Sequence, residues 1–361
     1  MKNHNHKILL GFSKSLTYNL FLKNIAESLN QLYDLTLITS DKKKLENKNI
    51  KALDIDLPKN FFSYINIFSL IKKIFLINLK LYQFKNHYIL INTPNLSFFL
   101  RIFVLLKFKK IIYFVHGFRF HSKGNFFTNK IYFFIEKILS YRTDYYIVIN
   151  NEDYNVVKNN FNKPCLKISG VGINQFDIIN NKKLKKNDLF RIGVLGAYRN
   201  NKGYLKLIKL AKNLNNEIII NCYGYDDKNI YLKKIKKLKL KNIILNDFTN
   251  DIYSKIDNFD ILLHLSNREG LCFSIIQCLS RGVPVLGYNI RGVNDLIINS
   301  FNGYLFEFDD NKKIVETIYK LKNDQKLLQE LSNNAIKSID ENYTSKYINS
   351  KIIKFFRNII K

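Results

Sequence analysis

The stretch 260-DILLHLSNREGLCFSIIQCLSRGVPVLGYNIRGVNDLI-297 reads as an apolar strand, a polar loop through Glu269 and Gly270, an amphipathic helix, a Gly-Val-Pro strand and a glycine-bounded loop around Arg291. Five of the 14 glycines fall within residues 270–303, so the chain is expected to turn most tightly here. A strand-loop-helix unit aims a helix N-terminus at the end of a sheet. N–H groups left free near Gly270 and Leu271, together with the positive end of the helix dipole, make a seat for phosphate oxygens. Glu269 would repel phosphate. It therefore either contacts something else, such as sugar hydroxyls, or caps the helix, which would stabilise it by about 1 kcal/mol. Gln277 lies eight residues further on. On one helix that spacing is about 12 Å of rise and about 80° of rotation, which sets Glu269 and Gln277 at opposite ends of one extended ligand.

Outward from this segment the same rhythm repeats. Strands are expected at residues 190–195, 217–222, 242–245, 260–265 and 284–287, with helices at 204–214 and 271–281. An earlier set has strands at 7–12, 35–39, 87–92, 111–115 and 145–150 and helices at 18–32, 63–83, 96–106 and 128–140. Alternation of this kind implies α/β architecture with parallel sheets covered on both faces. A polar, lysine-rich stretch separates the two sets and reads as a linker. The chain thus divides into a domain over 1–173, a linker over 174–188, a second domain over 189–344 and a helix over 345–361 expected to pack back on the first domain. Two doubly wound, Rossmann-like domains place a ligand cleft at the carboxyl ends of their strands.

Composition bounds the function. The 361 residues carry 58 Lys+Arg against 29 Asp+Glu, a net charge of +29, and 47% are hydrophobic, with 29 Phe and 22 Tyr. Such a chain is too apolar for a disordered basic tail and long enough for two cores. Its four cysteines form no CxxC pair, which excludes a disulfide scaffold and argues against a zinc module. The excess charge has two readings: lysine bias on solvated faces, or attraction to an anionic partner. Residues 1–12 have too short an apolar run for a signal peptide. Segments 61–84 and 96–115 approach membrane-spanning length, but lysines and arginines interrupt both. They read as basic amphipathic elements, either packed on a core or resting on an anionic membrane surface.

The quoted segment resembles the signature of glycosyltransferase family 4, the retaining, nucleotide-sugar-dependent enzymes of GT-B fold. Ser266, Glu269 and Gly270 are followed by Gln277 at the second acidic place of the family's Glu-x7-Glu motif, then by Gly282-Val283-Pro284-Val285. A second block, 114-FVHGFRFHSKGNFFTNKIYFFIEKILSYRTDYYIVINNEDY-154, is similar to bacterial exopolysaccharide, capsule and O-antigen transferases, with Arg119 where that group has a second histidine. The run 170-GVGIN-174 resembles their G-V-G-I-D.

The resemblance implies roles residue by residue. His116 matches the histidine near the transferred sugar, against the bland reading of a structural histidine after a strand. Lys202 matches the lysine that neutralises the donor diphosphate, while Ala197 stands where an arginine is usual, so Arg199 is expected to substitute for it. Glu269 matches the carboxylate that holds the donor sugar, and Gln277 replaces the one on the ribose diol, losing charge assistance. Cys278 and His264 read as packing residues, and His4, His6, His87 and His121 lack metal-ligand spacing.

The function implied is transfer of a sugar, with retention, from a nucleotide diphosphate, UDP foremost, to a glycan on a lipid diphosphate. No metal or other cofactor is expected, and the place of work is the cytoplasm or the inner face of the plasma membrane. A catalytically silent nucleotide-sugar-binding subunit is the alternative. A nucleic-acid-binding protein is disfavoured, because no RRM, KH or helix-turn-helix signature accompanies the charge. A dinucleotide oxidoreductase is disfavoured because 11-GFSKSL-16 replaces a GxGxxG after the first strand.

Overall fold

The computed structural model describes residues 6–46, 49–57, 67–184 and 189–360. The first residues of the 61–84 segment, His4 and the end of the expected linker, 185–188, lie outside them. The chain forms two units, Met1–Val171 with Ser345–Lys361, and Gly172–Thr344.

In the first unit the order is β1 (Lys7–Gly11), α1 (Ser15–Thr17), a π-helical turn (Tyr18–Leu22), α2 (Lys23–Leu32), β2 (Asp34–Thr39), β3 (Lys51–Asp54), α3 (Ile67–Tyr82) and β4 (Tyr88–Ile91). There follow α4 (Pro94–Phe103), β5 (Lys110–Val115), α5 (Phe126–Ser140), β6 (Tyr145–Val148), α6 (Asn151–Val156) and β7 (Cys165–Lys167). The sheet is parallel, in the order β3-β2-β1-β4-β5-β6-β7. Its central strands are apolar throughout because helices cover both faces: every residue of β4, YILI, is buried. The connections through α3, α4 and α5 all step the same way across the sheet, so right-handed crossovers set these three helices on one face. Helix α2 steps the opposite way and lies on the other face.

In the second unit β8 (Phe190–Leu195), α7 (Tyr204–Ala211), β9 (Ile218–Tyr223), α8 (Asn229–Lys237), β10 (Ile243–Asn246), α9 (Ile252–Ile256) and β11 (Ile261–His264) are followed by α10 (Phe273–Ser280), β12 (Val285–Tyr288), β13 (Gly303–Phe306), α11 (Asn311–Asn323) and α12 (Gln325–Lys337). The parallel order is β10-β9-β8-β11-β12-β13. One apolar cluster, from Ile192 and Ile220 to Leu286 and Ile318, fills both sides of it.

The final helix, α13 (Ser345–Ile359), belongs to the first unit and packs on α2, with Asn349 Nδ2 donating to the Asn24 carbonyl at 3.4 Å. The expected linker behaves differently from its sequence reading: 174–184 is held on the second unit. Lys182 Nζ donates to the Phe259 carbonyl (2.7 Å), and Gln329 Nε2 to the Lys182 carbonyl (2.9 Å). The Phe259 carbonyl and the Gln329 amide give a lysine-rich stretch partners that its composition does not advertise. Strands β3, β7 and β13 and helices α6, α8 and α9 are additional to the sequence reading.

Candidate active site

The strand order of the second unit reverses between β8 and β11, where Ile192 pairs with Ile261 and Gly193 with Leu262. Adjacent strands whose connections leave in opposite directions open a crevice at their carboxyl ends. Two loops line it. After β8 the chain makes a tight turn, Asn200–Lys202, closed by Gly203 at φ +79°, where an added Cβ would meet the Leu265 carbonyl oxygen at 2.1 Å. After β11 the second loop is tied to the first, since Asn267 N (2.9 Å) and Ser266 Oγ (3.1 Å) both donate to the Asn201 carbonyl.

This tie brings together residues 67 positions apart: Lys202 Nζ donates to Glu269 Oε1 at 2.5 Å. His264, at the last position of β11, holds the same oxygen through Nε2 at 3.1 Å. Its Nδ1 faces Cys272 Sγ at 3.7 Å. Four ionisable groups therefore form a compact, mostly buried cluster in which each charge has an opposite neighbour. Burial alone would push the Glu269 carboxyl up, but the His264 hydrogen bond and the Lys202 charge hold it well below the usual carboxylate range. Burial disfavours the His264 cation, yet Cys272 and Glu269 outweigh it and raise the imidazole to about 9. The Cys272 thiol, which burial would raise, is lowered by the His264 charge.

His264 thus belongs to the site, which corrects its reading as a packing residue; Cys278 is buried and packs as read. The helix-cap alternative for Glu269 also falls. Helix α10 begins at Phe273, its N-cap is Cys272, and Glu269, Gly270 and Leu271 all sit in the preceding loop. The spacing from Glu269 to Gln277 is consequently part loop, part helix. Gln277 is half-buried on α10, beside the Tyr253 phenol. Arg199 is engaged elsewhere, Nε donating to Asp226 Oδ2 at 2.5 Å.

Behind the loop, Arg291 is buried and its Nε donates to the Glu269 carbonyl at 3.0 Å. Its neighbour Gly292, at φ +76°, passes so close that an added Cβ would lie 2.1 Å from the Gly270 carbonyl oxygen. The Arg291-Gly292 loop thereby fixes the backbone that presents Glu269.

His264, Glu269 and Cys272 offer donor atoms within 4.8 Å of one another, a spacing able to hold a metal ion. The two imidazole nitrogens face different partners, however, and Lys202 and His264 share Glu269 Oε1, so a cation held through that oxygen would compete with the ammonium group.

In the first unit His116 follows β5. Its ring stacks on Phe114 with centroids 4.3 Å apart, and Nε2 lies 3.4 Å from Asn92 Oδ1. Burial pushes it down to about 4, so it is neutral at physiological pH. Asn92 follows β4, and its Nδ2 donates at 3.4 Å to the carbonyl of Gly11, the last residue of β1, so His116 stands beside the reversal point of the first sheet.

Residues 175–338 match the family model for glycosyl transferases group 1. Over 393 aligned positions the chain is 25% identical to the capsular polysaccharide biosynthesis glycosyltransferase CapM of Staphylococcus aureus, covering 100% of this chain and 99% of that one. It is 26% identical to the UDP-Gal:alpha-D-GlcNAc-diphosphoundecaprenol alpha-1,3-galactosyltransferase of Escherichia coli, over 70% of this chain and 66% of the relative. The chain is a glycosyltransferase of GT-B fold. The fold agrees with that of Anabaena HepE, solved with UDP and glucose, at a TM-score of 0.77 and 15% identity over 98% of this chain and 100% of that one.

Several residues in the second sequence block of this glycosyltransferase serve architecture. Arg101, fully buried, donates to both Glu136 carboxylate oxygens (3.1 and 2.9 Å) and to Thr143 Oγ1 (3.4 Å), with its guanidinium 4.4 Å from the centre of the Tyr113 ring. Asp144 accepts from Ile111 N at 2.8 Å. Glu152 accepts from both Ser122 N (2.8 Å) and Ser122 Oγ (2.7 Å), anchoring the loop that follows His116.

Proposed function

We propose that this glycosyltransferase is a family 4 enzyme that moves a sugar, with retention, from a UDP-linked donor to a glycan on a lipid diphosphate during surface-polysaccharide assembly. The observation that carries the reading is the Lys202–Glu269 pair at the reversal point of the second sheet. A cation and a carboxylate at one strand crevice suit a ligand with a diphosphate beside a polyol. On donor entry Lys202 turns from Glu269 to the diphosphate, and Glu269 is left to accept from the sugar hydroxyls. His264 continues to hold the carboxylate in place. The N–H groups at Gly270 and Leu271 face the phosphates, Arg199 exchanges Asp226 for phosphate oxygens, and Gln277 takes the ribose hydroxyls. His116, uncharged, serves as a hydrogen-bonding group near the transferred sugar.

With the diphosphate stabilised as it departs, transfer depends mainly on positioning and electrostatics. The names of the relatives support the substrate classes: one acts in capsule synthesis, another takes UDP-galactose and a diphosphoundecaprenol acceptor. A lipid-borne acceptor confines the enzyme to a membrane surface, and among the described residues no helix is long and apolar enough to cross a membrane. A thermal-shift screen against UDP-, GDP- and ADP-sugars tests the donor. UDP-sugars should raise the melting temperature as ligand linkage requires, and equal responses from all three nucleotides would refute UDP selection.

A further inference from the structure

Helices α3 and α5 lie on the same face of the first sheet, flanking α4, and each turns an apolar stripe outward. On α5 the stripe is Phe127, Ile131, Phe134, Ile138 and Tyr141, spaced at three and four residues, with Phe127 74% and Tyr141 80% exposed. On α3 it is Phe68, Ile71, Phe75, Leu79 and Tyr82, with the same spacing and Phe68 81% exposed. Each stripe runs about 21 Å along its helix. Leu105, 85% exposed, follows α4 and is held beside α3, its N–H donating to Asn78 Oδ1 at 3.0 Å. A water-facing helix ordinarily buries such a stripe.

The charge of this face is one-sided. The sequence has no Asp or Glu between Asp56 and Glu136, while twelve lysines and arginines fall in that interval. The two bounding carboxylates are engaged, Asp56 with Lys73 at 2.7 Å and Glu136 with the buried Arg101 at 2.9 Å. Exposed Lys72 lies about 60° around α3 from its stripe, and exposed Lys130 and Lys137 lie about 60–80° around α5 from theirs. A second copy docked on this face through a twofold axis would bring lysines against lysines. Apolar ridges edged by cations and lacking free carboxylates match an acyl boundary beneath anionic headgroups.

We propose that the α3–α5 face is a membrane-docking surface, lying in the plane of an anionic bilayer with its aromatic stripes below the headgroups and Lys72, Lys130 and Lys137 at the lipid phosphates. Attachment rests on the lipid-linked-acceptor reading only for its purpose. Binding is measured without substrate, so either can fail without the other.

The test is co-sedimentation of the full chain with phosphatidylcholine vesicles, with and without phosphatidylglycerol, at low and high salt. The wild-type protein should bind the anionic vesicles and be released by salt. Ile131→Glu/Phe134→Glu and Lys130→Glu/Lys137→Glu should each lower partitioning about tenfold or more, with unchanged melting temperatures. Lys233→Glu/Lys236→Glu, an equal charge change on exposed positions of α8, should bind like wild type. Absence of binding to anionic vesicles, binding indifferent to lipid charge and salt, or wild-type binding by both α5 variants would overturn the proposal. So would a dimer that Phe134→Glu dissociates in protein without vesicle affinity.

Discussion

Replacing Lys202 with Met removes the ammonium group while keeping most of the side chain's bulk, and two effects should follow from one contact. The first is on the free protein. Glu269 is largely buried, and its Oε1 is held by Lys202 at 2.5 Å and His264 at 3.1 Å. Losing one charged donor leaves the carboxylate with His264 alone, at a cost of about 1–3 kcal/mol. For a unit of this size that is a fall of roughly 2–12 °C in melting temperature. The second is on the donor. A charge-assisted hydrogen bond to a diphosphate contributes about 1.5–3 kcal/mol, so the dissociation constant for UDP should rise about 10- to 150-fold. Glu269→Gln should act oppositely on UDP, because it releases Lys202 from its carboxylate partner; binding should tighten or stay level. Isothermal titration of UDP into the wild type and both variants separates these outcomes. Equal affinity in wild type and Lys202→Met would refute the assignment of Lys202 to the diphosphate.

Further outcomes follow from other contacts. Glu136→Ala strands the buried Arg101 guanidinium and should destabilise the first unit by about 3–5 kcal/mol, whereas Arg101→Met/Glu136→Leu should recover most of it; urea denaturation of the three proteins decides. The His264 imidazole is raised from about 6.5 to about 9, so its stabilisation is fully present below about pH 6.5 and is lost as pH rises through about 9. Subtracting the stability of His264→Gln from that of the wild type should give a difference on the order of 3 kcal/mol at pH 6 that shrinks toward pH 10; a difference independent of pH would contradict the charged imidazole. Gly292→Ala forces a Cβ against the Gly270 carbonyl, and should weaken UDP-sugar turnover and stability together, by about 1–3 kcal/mol in stability.

Much of this was legible in the sequence, and the parts that were not share a cause. Apolar runs such as LLHL after Ile261 mark buried parallel strands, and Glu269-Gly270 and Gly282-Val283-Pro284 mark the turns that build the crevice. Strands β3 and β13 were missed because KALD and GYLF are short and lie at sheet edges, where burial on both faces is not required. Helix α8, NIYLKKIKK, buries Tyr231 and Ile235 with lysines between, and the lysines hide the period. The site itself divides in the same way. Glu269 and Lys202 were each visible locally, but their contact depends on β8 lying beside β11, a long-range pairing. Nothing local distinguishes His264 from an ordinary residue at the end of a strand; only the return of the chain through Cys272 shows its second partner. The segment that becomes α3 reads as amphipathic from sequence and α5 reads only as a helix, while the direction their stripes face is set by the crossovers.

The most direct measurement of the central claim is steady-state UDP release from a UDP-sugar in the presence of a lipid-diphosphate-linked glycan, comparing wild type with Glu269→Gln. If Glu269 holds the donor sugar, the variant should retain UDP affinity while turnover falls about 100-fold or more, as expected when a group positioned at the reacting centre is removed. Turnover equal to that of the wild type, with UDP affinity unchanged, would contradict the account.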